Sequence, residues 1–266
     1  MIIQRSVIII FFILICVRCQ TVSVKSSDNY LIDHFESNII ASQKYRLPYR
    51  LWRPKADSVS LLKKPLLVFL HGAGERGSDN ATTLKHLLPL LRRADFPIDQ
   101  TYVLVPQADE LSRWVEVDWD LSTHKQPKQP SLPLASTFDL IQSLAATEPI
   151  DTNRIYLVGL SMGGFGVWDA LSRRPDLFAA GVAVCGGADE STASKSFVPV
   201  WAFHGAKDTV VSVERSRRMV TALKKVGANI RYTEYKNEAH GSWIPAFQEK
   251  ELINWLFSQN KGLKTQ

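Results

Sequence analysis

The chain has 266 residues, 45% of them hydrophobic, and a formal net charge of +6. That composition supplies one sizeable core and excludes a disordered or low-complexity chain. The positive charge is scattered in short clusters such as Arg92-Arg93 and Lys224-Lys225. With no basic stripe interleaved with aromatics, nucleic acid is not an expected partner.

The first element is a targeting segment. Arg5 precedes the apolar run 7–17 (VIIIFFILICV), about half the roughly 20 residues a spanning helix needs. It fits the apolar region of a secretory signal peptide over 1–19, cut after Cys19, with a retained membrane anchor as the alternative. The expected location is exported, periplasmic or extracellular, with no stable membrane insertion after cleavage. Cys16 and Cys19 leave with that segment. Cys185 alone remains, in the run GVAVCGG, so no intramolecular disulfide is expected and the thiol reads as a buried strand residue. A lead segment over 20–34 then precedes one domain over 35–260.

Within that domain strands and helices alternate. Residues 44–52 read as a strand paired with the segment before it, and 65–70 (PLLVFL) as an apolar strand ending at a Gly-rich turn. Helical spacing over 82–93, a strand at 101–105 and a helix at 134–146 follow. The pattern continues with strand 154–158, helix 163–173, strands 179–184 and 198–203, helix 213–226 closed by Gly227, strand 230–235 and a closing helix at 245–257 with Pro245 in its first turn. Wholly apolar strands alternating with helices predict an α/β fold with a mostly parallel sheet covered on both faces. The connection 107–133 is too long for an ordinary loop and rich in Pro, polar residues and Trp, which marks it as functional or disordered.

The chemistry gathers at the ends of these strands. Gly159-Leu160-Ser161-Met162-Gly163 follows a strand and opens a helix, the context of a nucleophile elbow, in which a strained turn lifts the Ser161 hydroxyl out of the sheet. His240, in the loop after the last strand, is the candidate base. Asp208, after strand 198–203, is the candidate carboxylate that orients it, with Asp189 one strand nearer as the competitor. His71-Gly72-Ala73-Gly74-Glu75-Arg76-Gly77, directly after PLLVFL, occupies the place that supplies an oxyanion donor; the expected pair of donors is the N–H groups of Met162 and Ala73. His71 and His204 read as structural imidazoles. Glu75 and Arg76 either pair with each other or shape the pocket. No HExxH, paired Cys/His ligand set or phosphate-cradling loop is present in the sequence, so neither a metal nor another cofactor is expected.

The segments FLHGAGERGSDN, PQADELSRWVEVDW, RIYLVGLSMGGFGVWDA, VWAFHGAKDTVV and EAHGSW together resemble the dienelactone-hydrolase-like carboxylesterase branch of the α/β-hydrolases. Its neighbours include phospholipase/carboxylesterases, polyhydroxybutyrate depolymerases, feruloyl esterases and predicted peptidases. The resemblance covers about residues 35 to 258. It implies an α/β-hydrolase fold without a large lid domain, and it carries the family's Ser, Asp and His onto Ser161, Asp208 and His240. Dienelactone hydrolases proper have a cysteine where this chain has Ser161. The expected activity is hydrolysis of short-chain or aromatic carboxylic esters, free or linked to a polysaccharide, through an acyl-enzyme. The other readings are a serine peptidase, an acyltransferase to a sugar alcohol and a non-catalytic binding protein. Trp114 and Trp119 in the long connection, and Trp243 three residues after His240, are the expected pocket walls.

Overall fold

The computed structural model describes residues 27–42, 45–55, 62–195 and 198–263. The expected signal segment and its two cysteines lie outside them. In chain order the elements are α1 (Ser27–His34), β1 (Glu36–Ala41), β2 (Arg46–Trp52), β3 (Lys64–Leu70), α2 (Leu88–Leu91), β4 (Tyr102–Pro106), α3 (Leu132–Thr147), β5 (Ile150–Leu160), α4 (Met162–Arg173), β6 (Ala180–Val184), β7 (Val200–Gly205), α5 (Glu214–Lys225), β8 (Ile230–Tyr235), α6 (Trp243–Ala246) and α7 (Leu252–Ser258).

The strands form one sheet in the order β1-β2-β4-β3-β5-β6-β7-β8. β1 pairs antiparallel with β2, and β2 antiparallel with β4; every later pairing is parallel. Alternate residues of the central strands feed two separate cores, because successive side chains of a strand point to opposite faces. Leu66, Val68 and Leu70 of β3 pack with α3 and α4 on one face. Leu67 and Phe69 pack with α2 and α7 on the other. This double burial is why the strands read as unbroken apolar runs.

α5 ends as its sequence forecasts. Gly227 takes φ +70°, its N–H bonds Lys224 O at 3.1 Å, and Ala228 N–H bonds Leu223 O at 3.0 Å. These are the two bonds of a Schellman cap.

Two expected helices are shorter than their periodicity implies. Over 82–93 the chain forms a 3₁₀ turn (Thr82–Leu84) and the four-residue α2. Pro89 lacks an N–H and is tolerated only in a helix's first turn, so the helix starts just before it. The closing helix is split into α6 and α7. Arg93 donates from Nη1 to the carbonyls of Phe247 and Glu249, at 2.9 and 2.8 Å. Those carbonyls sit in the break, and a guanidinium from a distant segment takes the place of a continuous helical ladder. No helix among the described residues is long and apolar enough to cross a membrane.

Candidate active site

At the end of β5 the chain turns sharply into α4. Ser161 sits at the turn with φ 52° and ψ −119°, a left-handed conformation that is strained for a residue with a Cβ. The close approach explains the flanking glycines. A Cβ on Gly163 would lie 1.9 Å from Leu70 O, and one on Gly159 would lie 2.4 Å from Gly163 O. Ser161 N–H bonds Val184 O at 2.9 Å, which pins the turn to β6.

His240 stands in the loop between β8 and α6. Its Nε2 is 2.9 Å from Ser161 Oγ and its Nδ1 is 2.8 Å from Asp208 Oδ2. With Nδ1–H donating to the carboxylate, Nε2 is free to accept the serine proton. The loop is seated on the end of β7: Lys207 N–H bonds Glu238 O at 2.9 Å, and a Cβ on Gly205 would meet Ala239 O at 2.2 Å.

Asp208 has a fully buried side chain. Its Oδ1 accepts from the N–H groups of Val210 and Val211, both at 2.9 Å. Its Oδ2 is 3.2 Å from His204 Nε2 as well as bonded to His240. Burial pushes this carboxyl up, but the hydrogen bonds from His204, His240, Val211 and Val210 outweigh it and hold the group well below the usual carboxylate range. It is therefore ionised at neutral pH. His204 Nε2 also lies 2.9 Å from Val211 O, so this nitrogen faces two acceptors and carries the proton. The sequence marks His204 as structural, and it is, but its position four residues before Asp208 also makes it the carboxylate's second imidazole partner.

Asp189 does other work. Its Oδ2 accepts from Gln126 N–H at 2.8 Å, and its Oδ1 from the N–H and hydroxyl of Ser191 at 3.0 and 2.7 Å. It thus holds the connection 107–133 to the segment after β6. The buried Arg215 grips the same connection through the carbonyls of Leu121, Trp119 and Asp118 and the ring of His124. Arg173 adds the carbonyl of Pro127. The long connection is ordered packing rather than a disordered insert.

His71 is buried, with Nδ1–H donating to Gly72 O at 2.6 Å and Nε2 accepting from Ala108 N–H at 3.0 Å. Burial lowers its pKa to about 4, so it is a neutral brace. Glu75 and Arg76 do not pair with each other: Glu75 contacts His86 at 3.2 Å, and Arg76 donates to Ala73 O at 3.0 Å.

The three tryptophans have three different fates. Trp114 is fully buried, with Nε1–H donating to His71 O at 3.0 Å and its ring 5.2 Å from that imidazole. It offers a substrate no surface, and its expected place in the pocket wall is corrected to support of the turn after β3. The reason is steric: Gly166 of α4 has no Cβ, and one placed there would lie 2.8 Å from Trp114 Cβ, so the indole sinks against the helix. Trp119 is partly buried on Phe165 and Val211, with the Arg113 guanidinium 4.4 Å from its ring centroid. Trp243 is partly buried and meets the His240 ring edge-on at 5.5 Å.

Cys185 is buried, at φ 41°, and its thiol shares a cluster with Asp208 and His240 in which the ligand atoms lie within 4.8 Å of one another. Burial pushes the thiol up to about 12, which keeps it protonated. The other two members are already joined by the triad hydrogen bond.

A serine strained at a strand-to-helix turn, an imidazole at hydrogen-bond distance and a buried carboxylate behind it define a serine hydrolase of the α/β-hydrolase fold. Within that fold the chain belongs to the phospholipase/carboxylesterase family, whose model matches residues 57–253. Among solved structures it is similar to a thermostable esterase, 38% identical with a TM-score of 0.78, over 87% of this chain and 64% of that one. It shares the fold of Pyrococcus horikoshii acylaminoacyl peptidase, at 17% identity and a TM-score of 0.64, over 90% of this chain and 45% of the peptidase. A stretch of 99 residues, 36% of this chain, is 32% identical to a bifunctional acetylxylan esterase/xylanase from Neocallimastix patriciarum and spans 14% of that protein.

Proposed function

We propose that the protein is an exported esterase that hydrolyses short-chain or aromatic carboxylic esters. The observation that carries this reading is the 2.9 Å contact between Ser161 Oγ and His240 Nε2, in a chain 38% identical to an esterase over 87% of its length. The absence of a large lid among the described residues also supports small or polymer-borne esters. The likeness to the peptidase concerns the fold alone.

In the proposed reaction His240 Nε2 takes the Ser161 proton as Oγ attacks the ester carbonyl. The oxyanion is held by the N–H groups of Met162 and Ala73. Met162 is the first residue of α4, where a helix N–H has no carbonyl of its own helix to bond. Ala73 opens a 3₁₀ turn beside the serine, since a Cβ on the preceding Gly72 would lie 3.8 Å from Ser161 Cβ. Ionised Asp208 stabilises the imidazolium, which then protonates the leaving alkoxide. Water, activated by the same imidazole, releases the acid. Trp243 walls the cleft beside the base, and Trp119 lies further along the long connection. Export rests on the apolar run after Arg5.

A hydrolysis panel tests the reading: p-nitrophenyl acetate and laurate, methyl ferulate, acetylated xylan and a peptide anilide. Turnover of the acetate or ferulate, abolished in Ser161→Ala, supports it. Exclusive cleavage of the anilide, or of the laurate, overturns it. Secretion of the full chain, with the N-terminus of the exported product sequenced, tests the signal segment.

A further inference from the structure

Glu75 and His86 have no part in the acyl transfer, yet Glu75 lies in the turn beside the reacting serine and His86 meets the tryptophan that packs on the base. Glu75 closes the 3₁₀ turn after β3, and its side chain is 8% exposed. One oxygen, Oε1, is 3.2 Å from His86 Nε2. The other, Oε2, has no hydrogen-bond partner among the described residues, and it is directed at the turn beside the nucleophile. A Cβ on Gly72 would lie 3.0 Å from Oε2 and 3.8 Å from Ser161 Cβ. Burial pushes this carboxyl up, but the hydrogen bond and charge of His86 outweigh it, so Glu75 is held below its ordinary value and is ionised at neutral pH. A carboxylate oxygen with no protein donor gains a hydrogen bond when a ligand supplies one.

His86 is 23% exposed, and its Nδ1 has no partner among the described residues. Its ring meets Trp243 edge-on at 5.2 Å, and Trp243 in turn meets His240 at 5.5 Å. The indole is thus shared between the catalytic base and a second imidazole that is itself backed by a carboxylate.

We propose that Glu75 Oε2 and His86 form a hydroxyl-binding subsite which, with the indole of Trp243, holds the alcohol half of the ester when that half is a sugar. This deepens the ester reading above and rests on it. Sugar hydroxyls donate to a carboxylate and exchange hydrogen bonds with an imidazole, while the apolar face of a pyranose packs on an aromatic ring. Occupancy also helps the chemistry. A bare carboxylate near the oxyanion site opposes the negative charge that develops there, and a hydroxyl donating to Oε2 draws that potential away.

The test compares kcat and KM for an acetylated xylo-oligosaccharide and for p-nitrophenyl acetate in the wild type, His86→Phe, Glu75→Gln and His86→Gln. His86→Phe keeps a ring against Trp243 and removes both nitrogens. His86→Phe and Glu75→Gln should each lower kcat/KM for the sugar ester about tenfold more than for the aryl ester, mainly through KM. His86→Gln should recover part of the loss. Equal losses on both esters, or an unchanged sugar KM, overturn the subsite and leave the ester reading standing. A wild type that cleaves neither ester overturns both. Calorimetry of xylotetraose with Ser161→Ala gives a readout independent of turnover: binding should weaken about tenfold on adding His86→Phe, and equal affinity, or no binding to either variant, overturns the subsite.

Discussion

His204 Nε2 lies 3.2 Å from Asp208 Oδ2, the oxygen that also accepts from His240 Nδ1. The triad carboxylate is therefore oriented from two sides, by the base it serves and by a buried imidazole braced on Val211 O and Ser216 Oγ. His204→Gln should lower kcat on the order of tenfold to a hundredfold with little change in KM, because the carboxylate is no longer held in line with His240. Losing one donor also raises the folded-state pKa of Asp208 toward its ordinary value. A kcat within about twofold of wild type would remove His204 from this role.

The triad variants should separate from the Asp189 variant. Ser161→Ala and His240→Ala should each lower kcat by about 10⁵ or more, since the two act as a unit. Asp208→Asn should cost roughly 10⁴ by favouring the wrong imidazole tautomer. Asp189→Asn should leave kcat within about tenfold of wild type and lower stability by roughly 1–3 kcal/mol, because Asp189 orders the long connection and not the base. Steady-state kinetics with thermal melts of the same preparations checks both statements.

Acid stability should follow the buried groups. His71 titrates at about 4 in the folded protein against an ordinary 6.5, so between those values the unfolded chain binds the extra proton. Its contribution is whole above about pH 6.5 and lost as pH falls to about 4, on the order of 3 kcal/mol for a shift of that size. Asp208, depressed below its ordinary 3.8, adds stability that is present above that value and lost beneath it. Urea midpoints should therefore fall steadily from pH 7 to pH 4. His71→Asn should flatten that slope, and a slope equal to the wild type's would contradict this account of His71.

Trp114 and Trp243 should respond in opposite ways. Trp114→Ala opens a cavity in the core and should cost about 3–5 kcal/mol of stability. The KM ratio between an aryl and an acetyl ester should stay near wild type. Trp243→Ala should cost much less stability and raise KM for the aryl ester more than for the acetyl ester. Denaturant titrations and KM for the two esters on both variants decide the point.

What the sequence determined by itself is whatever short-range chemistry dictates. The glycines at 159 and 163 announce the elbow because no Cβ fits where the chain doubles back. The apolar runs announce a sheet buried on both faces, and Gly227 announces the end of α5. The order of Ser161, Asp208 and His240 at strand ends is visible for the same local reason. Tertiary structure alone decided what depends on distant partners. It chose Asp208 over Asp189, because only β7 brings a carboxylate under the His240 loop. It broke the closing helix, because Arg93 reaches the carbonyls of Phe247 and Glu249 from more than 150 residues away. It sank Trp114 behind His71 and left Trp243 beside the base, although both tryptophans follow strands that end on the same side of the sheet. And it set Glu75 against His86 rather than Arg76. A local pattern records which backbone conformations a residue permits; which side chain meets it across the fold is settled only when the sheet brings both together.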